Sequence, residues 1–311
     1  MKRAGDILKA SGELERRDIS VISKRLAKRI EGVELVREAR DAGQQEIGFN
    51  SRPFVLCGLP IRRPAAGVRE YSRRNGRVSM RINSNSSLGL PFGQDRLIPL
   101  WVSTLAVRQQ SRRVTFGSAA ELLREFGLST AGFHYKRMMQ GFERIFDATI
   151  TFQTDGTRGA ARYVEKSRVH YFDKMRLWYL DDSPGLPGED FQNVIELSEP
   201  FWQEIQAHPI PVDMRIVRAL AHASGQLDFA CWLIWRCHTA KAEQSIPLTG
   251  ENGLQSQMGV MDYTRPRRFR QQIAKWLDVL RGLWPECPAE LKGEFLVIRP
   301  AQAIRPRLSK V

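Results

Sequence analysis

The chain has 311 residues, 42% of them hydrophobic and 26% charged, which excludes an intrinsically disordered polymer and leaves room for two folded domains. Its charge balance is unusual: 48 Lys and Arg stand against 34 Asp and Glu, for a formal net charge of +14 and a pI near 10.0. A surface that basic repels itself unless it meets a polyanion, so nucleic acid is the first class of partner and an acidic membrane surface the second.

Residues 1–45 alternate charges around Ile19, Ile22, Leu26 and Ile30 at helical spacing, with Gly32 as a break. They read as an exposed amphipathic arm or as a mobile solvated segment. Phe54, Val55, Leu56 and Leu59 form a strand-like run ending at Pro60. Tyr71 to Asn83 reads as a β-hairpin, because Asn75-Gly76 separates two alternating segments and its two positions suit positive φ. Arg73, Arg74, Arg77 and Arg81 make that hairpin basic. Gly93 to Arg96 then leads into a helix buried along Leu97, Leu100, Trp101, Leu105 and Val107.

Residues 112–146, RRVTFGSAAELLREFGLSTAGFHYKRMMQGFERIF, carry the densest local signals. A short strand at Arg113 to Phe116 precedes a capping box of Ser118 and Glu121, which opens a helix of about three turns through Leu122, Leu123 and Phe126. Gly127 stops it by taking the left-handed cap, and Ser129 and Thr130 are N-cap candidates for the next helix. Two helices joined by a Gly-containing turn are the sequence form of a helix-turn-helix.

On the second helix, Tyr135, Met138, Met139, Phe142, Ile145 and Phe146 share a buried arc. His134, Lys136, Arg137, Gln140 and Arg144 share the opposite arc with one carboxylate, Glu143. Cations and amides beginning at a helix N-terminus are what a major-groove recognition helix presents. A solvated amphipathic helix is the alternative, and His134 is structural if it packs on the neighbouring helix.

Ala148 to Phe152 and Ala161 to Glu165 read as strands about a turn at 154–156, a "wing" after the recognition helix. Arg158 and Arg162, with Lys166 and Arg168 nearby, are phosphate candidates on it. A strand at Met175 to Leu180 precedes the Pro/Gly cluster SPGLPG at 183–188, the best interdomain linker.

The second half repeats this order. Val194 to Leu197 is strand-like, Ser198 caps a helix containing Phe201 and Trp202, and Pro211 precedes a helix through Arg215, Ile216 and Leu220. Leu227 to Thr239, with Trp232 and Trp235, reads as a core helix in which Cys231 and Cys237 are small apolar residues. Ile246 to Leu248 parallels the first short strand, and Thr249 to Met258 parallels the capped helix. In the next helix Phe269, Ile273, Trp276, Leu277, Leu280 and Leu283 share one face, against Arg267, Arg270, Gln271, Lys275 and Arg281 on the other. Arg268 is a further phosphate candidate, Phe295 to Ile298 a wing strand, and Arg299, Arg305, Arg307 and Lys310 a basic tail.

The expected architecture is therefore α+β and mainly helical: two tandem winged-helix domains with an N-terminal β-hairpin region and a helical arm. Its boundaries are an arm at 1–48, a first domain with the basic hairpin at 49–182, a linker at 183–190, and a second domain with the tail at 191–311.

The segments RRNGRVSMRIN, SLGLPFG and RLIPLWVSTLAVRQQSRRVTFGSAAELLREFGLSTAG resemble the RepA family of plasmid replication initiators, in order and spacing over residues 50–165. Phe92 stands where that family usually has Tyr, Gln109 where Thr is usual, and Phe126-Gly127 replaces Leu-Gly. The resemblance implies a protein that binds directly repeated double-stranded DNA sites (iterons) at a plasmid origin, helps to open A·T-rich DNA and recruits the host replicative helicase and initiator. It also implies a homodimer through the first domain.

The expected function is a DNA-binding initiator, with His134, Lys136, Arg137, Gln140 and Arg144 in one groove and Arg267, Arg270, Gln271 and Lys275 in the next. A winged-helix transcriptional repressor, acting on its own promoter, is the alternative that the same helices serve. A rolling-circle nickase needs a His-x-His pair, whereas His134, His170, His208, His222 and His238 never fall two apart, and no G-x-x-x-x-G-K-[ST] loop is present. No catalytic residue, metal or cofactor is expected. Cys57, Cys231, Cys237 and Cys287 form no Cys-x-x-Cys pair, no apolar run reaches the ~18 residues of a membrane span, and the first 18 residues lack a signal-peptide core. A cytoplasmic protein is expected.

Overall fold

The computed structural model describes residues 46–84, 86–158, 161–178, 192–260 and 265–303. Residues 1–45 of the predicted arm, the Pro/Gly cluster and the tail cations Arg305, Arg307 and Lys310 lie outside the described residues, whereas Ile47 and Gly48, assigned to the arm, belong to the folded body as the start of a strand.

Strand β1 (Ile47–Ser51) runs directly into a short helix, α1 (Arg52–Leu56), where the sequence predicts a strand. Pro53 sits in the first turn, where a missing N–H is harmless and its φ suits a helix. Pro53, Phe54, Val55 and Leu56 are all buried, so the apolar run had no alternation to reveal its state.

The predicted hairpin forms from β2 (Glu70–Asn75) and β3 (Val78–Ser84). Its turn falls one residue late: Asn75 pairs with Val78, and Gly76 takes φ +59° while Arg77 does not go positive. Asn75 is held in the strand because its buried Nδ2 donates to the Leu56 carbonyl at 3.0 Å.

A 3₁₀ turn at Gly93–Arg96 leads into α2 (Leu97–Gln109), then β4 (Arg113–Phe116), α3 (Ala119–Glu125) and α4 (Gly132–Phe146). The Ser118/Glu121 capping box is present. α3 has two turns rather than three, closed by Gly127 at φ +61° and by Leu128 N–H donating to Leu123 O at 2.7 Å. α4 begins after Ala131; the Ser129 hydroxyl is spent on a local turn, accepting from Ala131 N–H at 3.3 Å.

The hairpin after α4 is much longer than predicted. β5 (Ala148–Arg158) and β6 (Ala161–His170) stay paired through 154–156 and as far as Arg158 opposite Ala161. The Thr-Asp-Gly turn signal is overridden because β3 pairs with β5 from Ser84 opposite Ala148 to Val78 opposite Thr154. Past that point Asp155 N–H donates to Arg77 O, and the two strands project as a ribbon. The resulting sheet has the order β2-β3-β5-β6.

Strand β7 (Phe172–Arg176) pairs with β8 (Asn193–Leu197), which pairs in turn with β4, giving the order β4-β8-β7. Val194–Leu197, read as the start of the second half, is thus the central strand of the first half's sheet. The Pro/Gly cluster falls between two neighbouring strands of that sheet. There follow α5 (Glu199–Ala207), capped by Ser198 as predicted, β9 (Pro209–Asp213), α6 (Met214–Leu220) and α7 (Ser224–Thr239). Then come β10 (Gln244–Pro247), a single-turn α8 (Leu254–Gln257), α9 (Pro266–Leu283), β11 (Glu290–Lys292) and β12 (Phe295–Ile298), with the sheet order β10-β12-β11.

The molecule is α+β, and one pattern occurs twice. α2-β4-α3-α4-β7-β8 and α7-β10-α8-α9-β11-β12 both run helix, strand, helix, helix, strand, strand, with the last strand between the other two. The β5–β6 hairpin is an insertion in the first copy, between its third helix and second strand.

The two halves share one hydrophobic core. β1 pairs with β9 along Ile47↔Asp213 to Ser51↔Pro209. Asp228 on α7 forms ion pairs with Arg96 and, at 3.8 Å, with Arg73 on β2. Arg218 on α6 bridges Glu46 at 2.7 Å and Glu125, at the end of α3, at 2.9 Å. That pairing, chiefly its hydrogen bond from Arg218, holds the Glu46 carboxyl below its ordinary range.

Candidate nucleic-acid interface

α4 is amphipathic, and its core side (Met138, Met139, Phe142 and Ile145) is buried. Its outward side at the N-terminal end shows His134 and Lys136, both exposed, with Arg137 and Gln140 half-buried. The first turn contains no acidic residue and no side-chain cap, so the partial positive charge of the free N–H groups is not neutralised from within the helix.

α9 repeats the arrangement. Phe269, Ile273, Leu277, Leu280 and Leu283 are buried, and the first turn again lacks an acid. Arg267, Arg268, Gln271 and Lys275 are exposed. Arg270 is half-buried and its Nε donates to Gly293 O at 3.0 Å, tying the helix to the β11–β12 turn. Arg281, further along, is engaged with Asp278 and Ala289 O.

Two predicted surface cations are interior. Arg144 is buried (4% exposed) and bonds Asp95 with two hydrogen bonds, Nε to Oδ2 at 2.7 Å and Nη2 to Oδ1 at 2.8 Å. Its guanidinium also lies 4.9 Å from the Phe92 ring centre. A carboxylate 49 residues earlier in the chain draws this arginine off the polar arc, so it is not available to DNA. Arg73 is likewise 4% exposed; Asp228 and the Gln257 carbonyl hold it against the second half of the chain. The other hairpin cations, Arg74, Arg77 and Arg81, are exposed.

On the β5–β6 ribbon, Arg162, Lys166 and Arg168 are exposed, and Arg158 closes β5 opposite Ala161. The ribbon adjoins the basic hairpin, whereas the strands that complete the repeated pattern are β7 and β8. The predicted wing is therefore an inserted element of a different sheet.

Sequence reading missed Phe133. It is 77% exposed at the start of α4 and packs edge-on to His134, with ring centres 5.6 Å apart. The available signal was an aromatic residue standing off the buried arc. It also missed Arg62, Arg63 and His222, which share a cleft with His134 and Arg137. Only folding brings those segments together.

Cys57, Cys231 and Cys237 are buried, and loss of solvation pushes their thiols up, to about 11 for Cys57 and about 12 for the other two. Among the described residues no group of three or more His, Cys, Asp or Glu is arranged to hold a metal ion, and no helix is long and apolar enough to cross a membrane.

The model of the plasmid-encoded RepA protein family matches residues 90–246, just over half the chain. The chain belongs to this family. Membership places it among plasmid replication proteins, as the resemblance implied. The matched region runs from α2 to β10, so it includes α4 and stops before α9. No curated protein matches the sequence. Among solved structures, the chain is similar to a selenomethionine derivative of domains 2 and 3 of RctB. The TM-score is 0.52 at 10% identity, over 80% of this chain and 98% of that one. A second crystal structure of RctB domains 2–3 aligns at 11% identity and a TM-score of 0.43, over 77% of this chain and 92% of that one. The first of these likenesses shows a shared fold.

Proposed function

We propose that the chain is a plasmid replication initiator that binds directly repeated double-stranded sites at an origin. In this reading each repeated six-element pattern is a winged-helix unit, and α4 and α9 are its recognition helices. The observation that carries it is the recurrence itself: in both copies the third helix turns cations outward from a buried apolar side, and its first turn has no acid. Membership of the RepA family supports the replication role.

Base contacts fall to Lys136 and Gln140 on α4, with His134 beside them, and to Arg267, Gln271 and Lys275 on α9, where amides and cations suit adenine and guanine edges. Arg162 on the ribbon and Arg268 are phosphate contacts, as is Arg158. Arg270 braces α9 against the β11–β12 turn and reaches DNA with its remaining donors. Action is by binding, without catalysis or cofactor, in the cytoplasm. Opening of A·T-rich DNA, recruitment of host helicase and initiator, and dimerisation through the first unit complete the role.

Footprinting on DNA flanking the gene, with plasmid maintenance scored from the origin in trans, tests this. Tandem protected repeats whose deletion abolishes maintenance support it. Protection of one inverted repeat over a promoter, with maintenance unaffected, makes the protein a repressor instead. Gln271→Ala should weaken specific binding far more than binding to mixed sequence; equal losses would mean that α9 touches phosphates alone.

A further inference from the structure

Between the N-terminal end of α4 and the second half of the chain lies an open cleft of about 470 Å³. Five basic side chains line it: Arg62, Arg63, His134, Arg137 and His222. Among the described residues no Asp or Glu is in its wall. Asp95, next to Gln94 in the chain, is buried and paired with Arg144.

The cleft is built rather than incidental. The segment bearing Arg62 and Arg63 is clamped at its base: Arg96 Nη2 donates to Leu59 O at 3.0 Å and to Pro60 O at 2.9 Å, and Gly93 N–H donates to Pro60 O at 2.9 Å. Arg96 in turn is ion-paired to Asp228 on α7. Arg137 Nη1 donates to Gln94 Oε1, and Gln94 Nε2 donates to Ala221 O at 3.1 Å, beside His222. Gly93 has φ +57°, and a Cβ there would stand 3.3 Å from Arg137 Nη2, so glycine leaves room for the guanidinium against the loop. Three distant segments are thus held around one space by backbone contacts at its base, and Arg137 is fixed by Gln94 in its wall.

We infer that this cleft seats a phosphate group of the DNA backbone beside the groove that α4 enters, an inference that rests on the DNA-binding reading above. A helix in the major groove, about 12 Å wide, has a phosphate strand along each flank. His134 and Arg137 face the cleft, while Phe133 and Lys136 are exposed on the same end of α4. The flanking strand on that side would pass between α4 and the second half of the chain, along Arg63. The same chemistry suits a free phosphate or a nucleoside triphosphate; an open cleft, not an enclosed pocket, favours a continuous strand.

Arg63 is the residue to test, because it is exposed and its removal does not disturb the clamp. Labelled duplex carrying the footprinted site, and mixed-sequence duplex, are titrated over a range of salt with wild-type protein, Arg63→Gln and Arg63→Lys. Arg63→Gln should weaken both duplexes alike and lower the slope of log affinity against log salt by about 1, and Arg63→Lys should restore it. One methylphosphonate linkage flanking the α4 half of the site should weaken wild type and leave Arg63→Gln unchanged. A wild-type slope in Arg63→Gln overturns the inference. So does saturable calorimetric binding of inorganic phosphate or ATP that Arg63→Gln abolishes while its DNA binding stays intact. If wild type shows no preference for any duplex, the DNA-binding reading itself falls, a failure visible before any variant is compared.

Discussion

Replacing Arg144 separates a structural arginine from a DNA-reading one. In the folded protein its two hydrogen bonds to Asp95 and its contact with the Phe92 ring are made in the interior, with side-chain exposures of 5% for Arg144 and 3% for Asp95. Arg144→Met leaves Asp95 buried with the Phe92 N–H, 2.9 Å away, as its remaining donor. Removing one partner of such a pair costs about 3–5 kcal/mol. The double variant Asp95→Asn/Arg144→Met, which buries no lone charge, should recover more than half of that loss. Urea unfolding followed by circular dichroism measures both. DNA affinity, taken where the single variant is still folded, should stay within about twofold of wild type, since an interior residue adds no phosphate or base contact. A stability loss below about 1 kcal/mol together with a collapse of specific binding would refute the burial argument and return Arg144 to the DNA surface.

Three further outcomes are expected. Gly141→Ala on α4 should destabilise by about 1–3 kcal/mol in the same unfolding assay despite alanine's better helix propensity, because its Cβ would lie 2.8 Å from Asp95 Oδ1 and 3.0 Å from Ile98 Cδ1; a more stable variant would show that the two segments give way. Phe133→Ala should leave folding intact and remove one sequence preference: among thymine-to-deoxyuridine changes across the α4 half of the site, which delete only a methyl group, one should cost wild type about 1 kcal/mol and the variant nothing. Equal sensitivity in both proteins would exclude a methyl contact. A thiol reagent at pH 8 should modify Cys287 fast and the three buried cysteines only on unfolding, since their raised pKa values keep them as neutral thiols; rapid reaction of Cys57 in the native protein would contradict its burial.

What the sequence disclosed was local or periodic. The Ser118/Glu121 box, the Gly127 stop, the Ser198 cap and the apolar faces of α4 and α9 each depend on residues within a few turns of one another, and each is present. What it concealed depends on partners far along the chain. A helical wheel assigns Arg144 by angle and cannot show that Asp95 waits for it; the same holds for Arg73 and Asp228. The turn signal at 154–156 was real in composition but lost to seven paired positions on β3. Strand β8 looked like a beginning because it follows a Pro/Gly cluster, yet its neighbours in the sheet are β4 and β7. Of the candidate site, the two outward-facing helices were legible, while the cleft cations were not, because Arg62, Arg63 and His222 belong to no periodic pattern with α4.

The bracing between the halves has a mechanical consequence. Strand β1, at the start of the described chain, is sewn to β9, and Asp228 grips arginines on both the hairpin and the Gly93–Arg96 turn. In the proposed reading a molecule joined in this way acts as a caliper, whose gap between α4 and α9 is braced by the β1–β9 pairing and the Asp228 ion pairs. On that reading, a mismatch in the helical phase of a site would be absorbed by twisting or bending the duplex, and sequences that deform easily between the two contacts would gain an advantage that no side chain needs to read.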